Sequence, residues 1–329
     1  MNHPLTPVSL DSIRAPIAAD LAQVDEVIRR RLASDVALIR TVANYIVGSG
    51  GKRLRPALLL LAANACGAQG AAKHELAAVI KFIHTATLLH DDVVDESSLR
   101  RGRKTANAEF GNAASVLVGD FLYSRAFQMM VDVGTLRIMS VLADATNVIA
   151  EGEVLQLLNI HDPDTDEESY LRVIRYKTAK LFQAATQVGA ILGNAGAGVE
   201  SALADYGMHL GTAFQLIDDV LDYSGDLGEM GKNLGDDLAE GKPTLPLIHA
   251  MRAGTAEERE IVRHAIEKGG KADLDRVVAA IQRVGALDYA RSKAREEAAL
   301  ATSCLEALPG SPCRDSLLQL AHFSVERNF

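Results

Sequence analysis

Prolines fall only at positions 4, 7, 16, 56, 163, 243, 246, 309 and 312, which leaves 57–162, 164–242 and 247–308 without one. A proline inside a helix removes a backbone hydrogen bond and clashes with the preceding turn. Three long stretches free of it can therefore be helical almost throughout. Side-chain spacing agrees. Leu76, Val79, Ile80, Ile83 and Thr87 recur at helical intervals, as do Leu171, Ile174, Thr178 and Leu181. The alanine-rich runs 140–150 and 184–197 combine high helix propensity with small side chains that let helices approach closely. Alternating, strand-like runs are scarce. These features predict an all-α fold, a single large helical bundle around a central cavity. No shift in composition marks a boundary, so 1–329 reads as one domain. Three prolines within residues 1–20 suggest a loosely ordered N-terminal segment. The candidate loops are 48–52, 98–106, 161–168 and the glycine-bearing 224–243.

Within the helical stretches one pattern is written twice: Asp91-Asp92-Val93-Val94-Asp95 and Asp218-Asp219-Val220-Leu221-Asp222. On a helix, residues four apart share a face with Cβ atoms about 5–6 Å apart. Asp91 and Asp95 thus point together, as do Asp218 and Asp222. Two close carboxylates repel unless a positive group lies between them. Both pairs sit among apolar neighbours, where an unpaired charge is expensive. Salt bridges at a solvated helix end would explain the first block alone, and buried pairing with Lys232 or Lys242 the second. Neither explains the same spacing occurring twice. Oxygen-only donors in pairs suit Mg²⁺, which keeps water and takes further ligands from phosphates. Neither block has the spacing of an EF-hand loop.

Charge and cysteine content narrow the partners. With 34 Lys plus Arg against 43 Asp plus Glu, the net charge is −9. An acidic chain without basic runs is not expected to bind nucleic acid. Cys66, Cys304 and Cys313 are irregularly spaced and suggest neither a disulfide framework nor a zinc site. The N-terminus lacks the apolar core of a signal peptide, and the apolar run 57–63 is too short to span a bilayer. A cytoplasmic location is expected.

Other elements supply positive charge. Gly50-Gly51-Lys52-Arg53-Leu54-Arg55-Pro56 places three cations after two glycines, an anion-binding composition without the spacing of a Walker loop. Arg100, Arg101 and Arg103 follow the first aspartate block. Tyr176-Lys177-Thr178 is a weaker signal, because Lys177 reads equally well as a surface residue. His84 lies two turns before Asp91 on the same face. It reads as a core histidine or, near the cationic loop, as a phosphate ligand.

In this order, Gly-Gly-Lys-x-x-Arg, the first aspartate block with Arg100-Arg101, Lys177-Thr178, and Gln215 ahead of the second block, the chain resembles the trans-isoprenyl diphosphate synthases of the long-chain polyprenyl type. The resemblance runs from about Asn44 to Leu247 and continues more weakly beyond. It implies the isoprenoid synthase fold and elongation of an allylic diphosphate by isopentenyl diphosphate to a long all-trans product, octaprenyl diphosphate for a quinone side chain. It implies two or three Mg²⁺ ions held by Asp91, Asp95, Asp218 and Asp222, with Asp92 and Asp219 in support. Isopentenyl diphosphate is then expected at Lys52, Arg55, His84 and Arg101. The allylic diphosphate, farnesyl or geranyl, is expected at Arg100, Lys177, Thr178, Gln215, Lys232 and Lys242. Lys177, Thr178 and Gln215 are the expected catalytic side chains.

The resemblance further implies a homodimer and transient membrane contact for product release. In this family bulky aromatics just upstream of the first block stop the product short. Ala86 and Thr87 are small here, which implies a long product, with Phe127, Met129 and Met130 as candidate floor residues. The alternatives are a shorter- or longer-chain synthase, a terpene cyclase, or a non-catalytic regulatory subunit. A cyclase usually carries an Asn/Ser/Glu metal motif, which is absent. A regulatory subunit tends to lose one aspartate block, and this chain keeps both.

Overall fold

A computed structural model describes residues 9–48, 52–100, 102–224 and 234–327. The architecture is all-α. Among the described residues the only strands are Leu99–Arg100 and Arg103–Lys104, a two-residue antiparallel pair with Arg100 opposite Arg103. The described residues divide into two compact units, each built from three stretches of chain: 1–146, 181–207 and 302–323, and 147–180, 208–301 and 324–329.

The first unit is organised on helices that are buried nearly all round. In the Leu54–Ala65 helix, Leu58, Leu59, Leu60 and Leu61 are all fully buried. Consecutive burial rules out a one-sided amphipathic helix, and each such side chain contributes roughly 1.5–3 kcal/mol on leaving water. The Ala72–Val94 helix buries Leu76, Val79, Ile80 and Ile83, as the spacing predicts, and also Phe82 and Ala86 from neighbouring faces. Gly189 and Gly193 allow close packing here. A Cβ on Gly189 would stand 2.7 Å from the Ala62 Cβ, and one on Gly193 would stand 2.3 Å from the Cys66 Cβ.

Residues 9–20 depart from the loose order expected of 1–20, whose first eight residues lie outside the described ones. From Ser9 onward the chain is helical: Leu10–Arg14, a 3₁₀ turn over Ala15–Ile17, then Ala18–Arg31. The Ser9 hydroxyl accepts the Ser12 N–H at 3.1 Å, and Ile13 and Ile17 are buried. Pro16 lies in the first turn of its element, where a backbone N–H has no helical partner to lose. Pro246 and Pro312 likewise stand at helix starts. Proline here opens helices.

The second unit contains two apolar clusters. One gathers Tyr170, Ile174, Leu216, Ile217, Val220, Leu245 and Ala290. The other gathers Tyr223, Leu238, Leu247, Val262, Ile266, Val277 and Ile281. Between the α-helices Glu167–Ile174 and Lys180–Leu192, residues Arg175–Ala179 form a π-turn closed by the Lys180 N–H on the Arg175 carbonyl. Leu171, Ile174, Thr178 and Leu181 therefore do not follow one uninterrupted α-helix. Such turns are frequent at functional sites. Gly152, on the Leu136–Asn159 helix, backs this one: a Cβ there would lie 2.6 Å from the Lys177 N and 2.8 Å from the Tyr176 Cβ.

Candidate active site

Both aspartate blocks occupy the C-terminal ends of helices, Ala72–Val94 and Ala197–Ser224. A helix C-terminus carries partial negative charge. Carboxylates there add like to like, so the surroundings must supply cations.

In the first unit, Asp95 is the C-cap residue and its N–H donates to the Asp91 carbonyl at 2.8 Å. The middle residue, Asp92, is fully buried. Its Oδ1 accepts from Arg100 Nε at 2.9 Å and Nη2 at 2.7 Å, while its Oδ2 is buried with no hydrogen-bond partner. The small hairpin turns at Gly102, φ +71°, and delivers Arg100 to this carboxylate. Asn107 Nδ2 donates to the Asp92 carbonyl at 3.0 Å and the Ser97 carbonyl at 3.2 Å, fixing the chain beyond the helix. Arg100, expected on a diphosphate, thus also anchors the block that precedes it. Arg101 lies outside the described residues.

Arg55 and His84 are brought together. Arg55 Nη1 lies 3.1 Å from His84 Nε2, and its guanidinium stacks over Phe182 at 4.6 Å. Lys52 is half-buried just before the Leu54–Ala65 helix. Arg53, in the left-handed region at φ +47°, points instead to Asp25 at 2.6 Å. Gly50 and Gly51 lie outside the described residues. Ala86 is fully buried and Thr87 half-buried, one turn before Asp91. Of the candidate floor residues, Met129 and Met130 are buried, while Phe127 is half-buried and lines a surface cavity of about 670 Å³ with Tyr123 and Arg125.

In the second unit the block is more crowded. Asp218 Oδ1 pairs at 2.6 Å with Nη2 of Arg327, a buried residue. The same nitrogen donates to the Phe214 carbonyl at 2.8 Å, and the guanidinium covers the Phe214 ring at 3.8 Å. Asp219 is buried and accepts from Gln215 Nε2 at 2.8 Å and the Tyr170 hydroxyl at 2.6 Å. Gln215 Oε1 in turn accepts the Thr178 hydroxyl at 3.0 Å.

Asp222 accepts the backbone N–H groups of Asp236 and Asp237, both at 3.2 Å, where the short Asp236–Ala239 helix begins after Gly235 at φ +72°. Burial first, then the nearby Asp237 carboxylate, pushes the Asp222 carboxyl up to about 8 despite those donors. The same two causes, in the same order, raise Asp219 well above the carboxylate range.

Lys177, on the π-turn, pairs with Glu153 at 2.6 Å. Lys242 pairs with Glu240 and donates its backbone N–H to the Asp237 carbonyl at 2.9 Å. Lys242 therefore has a partner other than the aspartate block. Lys232 lies outside the described residues, as do the glycines at 225, 228 and 231. Sequence reading missed Glu153, Tyr170, Asp237 and Arg327. Asp237 carried a faint signal, an acidic pair between Lys232 and Lys242; Arg327 carried none.

Among the described residues no three His, Cys, Asp or Glu side chains converge as a ready-made metal site. The donors are oxygen-only pairs, with one orphaned carboxylate oxygen on Asp92. That set fits a hard divalent cation whose remaining ligands come from water and from a phosphorylated ligand.

Comparison with known proteins agrees. A family model described as polyprenyl synthetase matches residues 36–284. The chain is 55% identical over 322 residues to octaprenyl diphosphate synthase of Escherichia coli K12, covering 98% of this chain and 100% of that one. It is 49% identical over 317 residues to the geranyl-diphosphate-specific all-trans-nonaprenyl-diphosphate synthase of Rhodobacter capsulatus, covering 96% and 97%. Among solved structures, a polyprenyl synthase from Caulobacter crescentus CB15 complexed with calcium and isoprenyl diphosphate has a TM-score of 0.95 at 44% identity, covering 99% and 100%. A decaprenyl diphosphate synthase from Rhodobacter capsulatus has a TM-score of 0.93 at 48% identity, covering 98% and 100%.

Proposed function

We infer, for a chain that belongs to the polyprenyl synthetase family, that its reaction is elongation of an allylic diphosphate by successive isopentenyl units. It is a long-chain trans-prenyltransferase that uses divalent metal, isopentenyl diphosphate and an allylic diphosphate. The observation that carries this reading is 55% identity across 322 residues to an octaprenyl diphosphate synthase, in a chain that keeps both aspartate blocks.

In the first step the allylic C–O bond breaks and its electron pair leaves with diphosphate. The double bond of isopentenyl diphosphate then attacks the allylic carbon, forming the new C–C bond. A proton leaves the adjacent carbon for the departed diphosphate, so no side chain has to serve as base. Bound divalent metal neutralises charge on the leaving diphosphate. Asp91, Asp95, Asp218 and Asp222 are the proposed metal ligands, for two or three Mg²⁺ ions.

Lys52, Arg55, His84 and Arg101 are proposed to bind isopentenyl diphosphate, a reading supported by the Arg55–His84 contact. Arg100, Lys177, Lys232 and Lys242 are proposed to bind the allylic diphosphate. Cations already aimed where charge develops need no rearrangement during reaction. Thr178 and Gln215 direct oxygen dipoles toward the allylic cation. Exclusion of water protects that cation from quenching.

An octaprenyl product is proposed from the identity to octaprenyl synthases and from small Ala86 and Thr87, with a farnesyl or geranyl primer. No helix among the described residues is long and apolar enough to cross a membrane. We propose a cytoplasmic homodimer that touches the membrane transiently to release its product. The test is incubation of the purified protein with Mg²⁺, a farnesyl or geranyl primer and labelled isopentenyl diphosphate, followed by mass analysis of the dephosphorylated product. An eight-unit polyprenol is the expected result. Failure of the protein alone to elongate the primer would favour a regulatory subunit.

A further inference from the structure

We propose that Tyr170 is a positioning residue that sets the direction of the Thr178 hydroxyl through Asp219 and Gln215. The proposal rests on the reading that Thr178 faces the allylic cation.

The four side chains form an unbroken chain of hydrogen bonds. The Tyr170 hydroxyl donates to Asp219 Oδ2 at 2.6 Å. Asp219 Oδ1 accepts from Gln215 Nε2 at 2.8 Å, and Gln215 Oε1 accepts from the Thr178 hydroxyl at 3.0 Å. The chain crosses three local structures: the Glu167–Ile174 helix, the Ala197–Ser224 helix and the π-turn. Both Tyr170 and Asp219 are buried, so water does not compete for the bond between them.

Donor chemistry gives the chain a direction. A glutamine amide has a donor end and an acceptor end. With Asp219 Oδ1 accepting on one side, the amide turns its NH₂ there and its carbonyl to the other side. Thr178 then has to donate its only proton to that carbonyl. Its remaining oxygen lone pairs point away from Gln215, which suits stabilisation of a cation. A reversed Gln215 would make Thr178 an acceptor and turn its O–H outward, opposing the same cation. Tyr170 fixes the far end, because its hydroxyl occupies Oδ2 and leaves Oδ1 for Gln215. Hydrogen bonds linked in series polarise one another, so loss at one end is felt at the other.

A double-mutant cycle tests this. Tyr170→Phe keeps the ring in its apolar site and removes one hydroxyl; Thr178→Val removes the hydroxyl at the far end. The expected result for Tyr170→Phe is a fall in kcat of about tenfold, comparable with loss of a buried hydrogen bond, with KM for isopentenyl diphosphate unchanged. In the Thr178→Val background the same substitution should cost less than about twofold, because the relay has lost its endpoint. A parallel pair of variants, Gln215→Met with and without Tyr170→Phe, should likewise show no further loss, since the relay is cut at its middle. Melting curves of all variants accompany the kinetics. Additive losses in both cycles, or a fall confined to the melting temperature, would overturn the relay. If Thr178→Val leaves kcat unchanged, it is the assignment of Thr178 to the cation that fails.

Discussion

Replacing Asp222 with asparagine should raise the thermal stability of the metal-free protein while abolishing turnover. The carboxyl of Asp222 is pushed from an ordinary 3.8 to about 8. At pH 7 the folded state therefore holds a proton that the unfolded chain releases. Over the interval from 3.8 to 7, at about 1.36 kcal/mol per unit, that release favours the unfolded chain by about 4 kcal/mol. Asparagine is neutral in both states and removes this advantage. It also turns an N–H toward one of the two backbone donors, at Asp236 or Asp237, and forfeits a hydrogen bond of about 1–3 kcal/mol. The difference leaves about 1–3 kcal/mol of stabilisation at pH 7, or roughly 2–6 °C in Tm.

The pH dependence is the sharper signature. A raised carboxyl pKa means that wild-type stability is lost as pH climbs from 3.8 toward 8. At pH 5 the ionisation advantage shrinks to about 2 kcal/mol and the lost hydrogen bond cancels it. The gap in Tm should thus be near zero at pH 5 and widen up to about pH 8. Melting curves in EDTA across this range provide the assay. With Mg²⁺ and inorganic diphosphate the order should reverse, because asparagine is a poor ligand for a hard cation. An Asp222→Asn variant less stable than wild type at pH 7.5 in EDTA, or a gap that ignores pH, would refute the reasoning.

Three further outcomes are expected. Ala86→Phe should shorten the product, read as polyprenol mass; if instead length is kept and Tm falls by the equivalent of about 1–3 kcal/mol, Ala86 is packed core without access to the product. Arg100→Met should lower stability by about 3–5 kcal/mol, because it strands the buried Asp92 carboxylate, and Arg100→Met/Asp92→Asn should recover much of the melting temperature but not the activity. Gly152→Ala should cost about 1–3 kcal/mol by thrusting a methyl against the Lys177 backbone, with a drop in kcat that melting alone does not explain.

The parts of the molecule legible in sequence are those governed by local periodicity. The Ala72–Val94 helix announces itself through Leu76, Val79, Ile80 and Ile83, and the twin aspartate blocks through their matched spacing. Residues whose role depends on distant chain were silent. Arg327 reaches Asp218 across more than a hundred positions, and nothing near either residue signals the pairing. The hairpin that delivers Arg100 has strands of two residues, too short to show alternation. Pro16 misleads for a different reason: in a first turn it favours a helix it would break elsewhere. The π-turn is hidden most thoroughly. A change in hydrogen-bond register alters no residue type, and Leu171, Ile174, Thr178 and Leu181 satisfy helical spacing on paper.

That turn bears on how this chain can vary. A π-turn is equivalent to one extra residue accommodated within an otherwise regular helix. Deleting any one residue between Arg175 and Ala179 would restore ordinary i to i−4 bonding and relieve the irregularity. The flanking turns would keep their register, because the bulge had absorbed the extra residue, but the side chains inside the turn would be redistributed over one position fewer. Lys177 and Thr178 would then lose their joint alignment with Glu153 and Gln215. Substitutions can accumulate across this segment one at a time, whereas a change of length admits no intermediate that keeps both side chains in place.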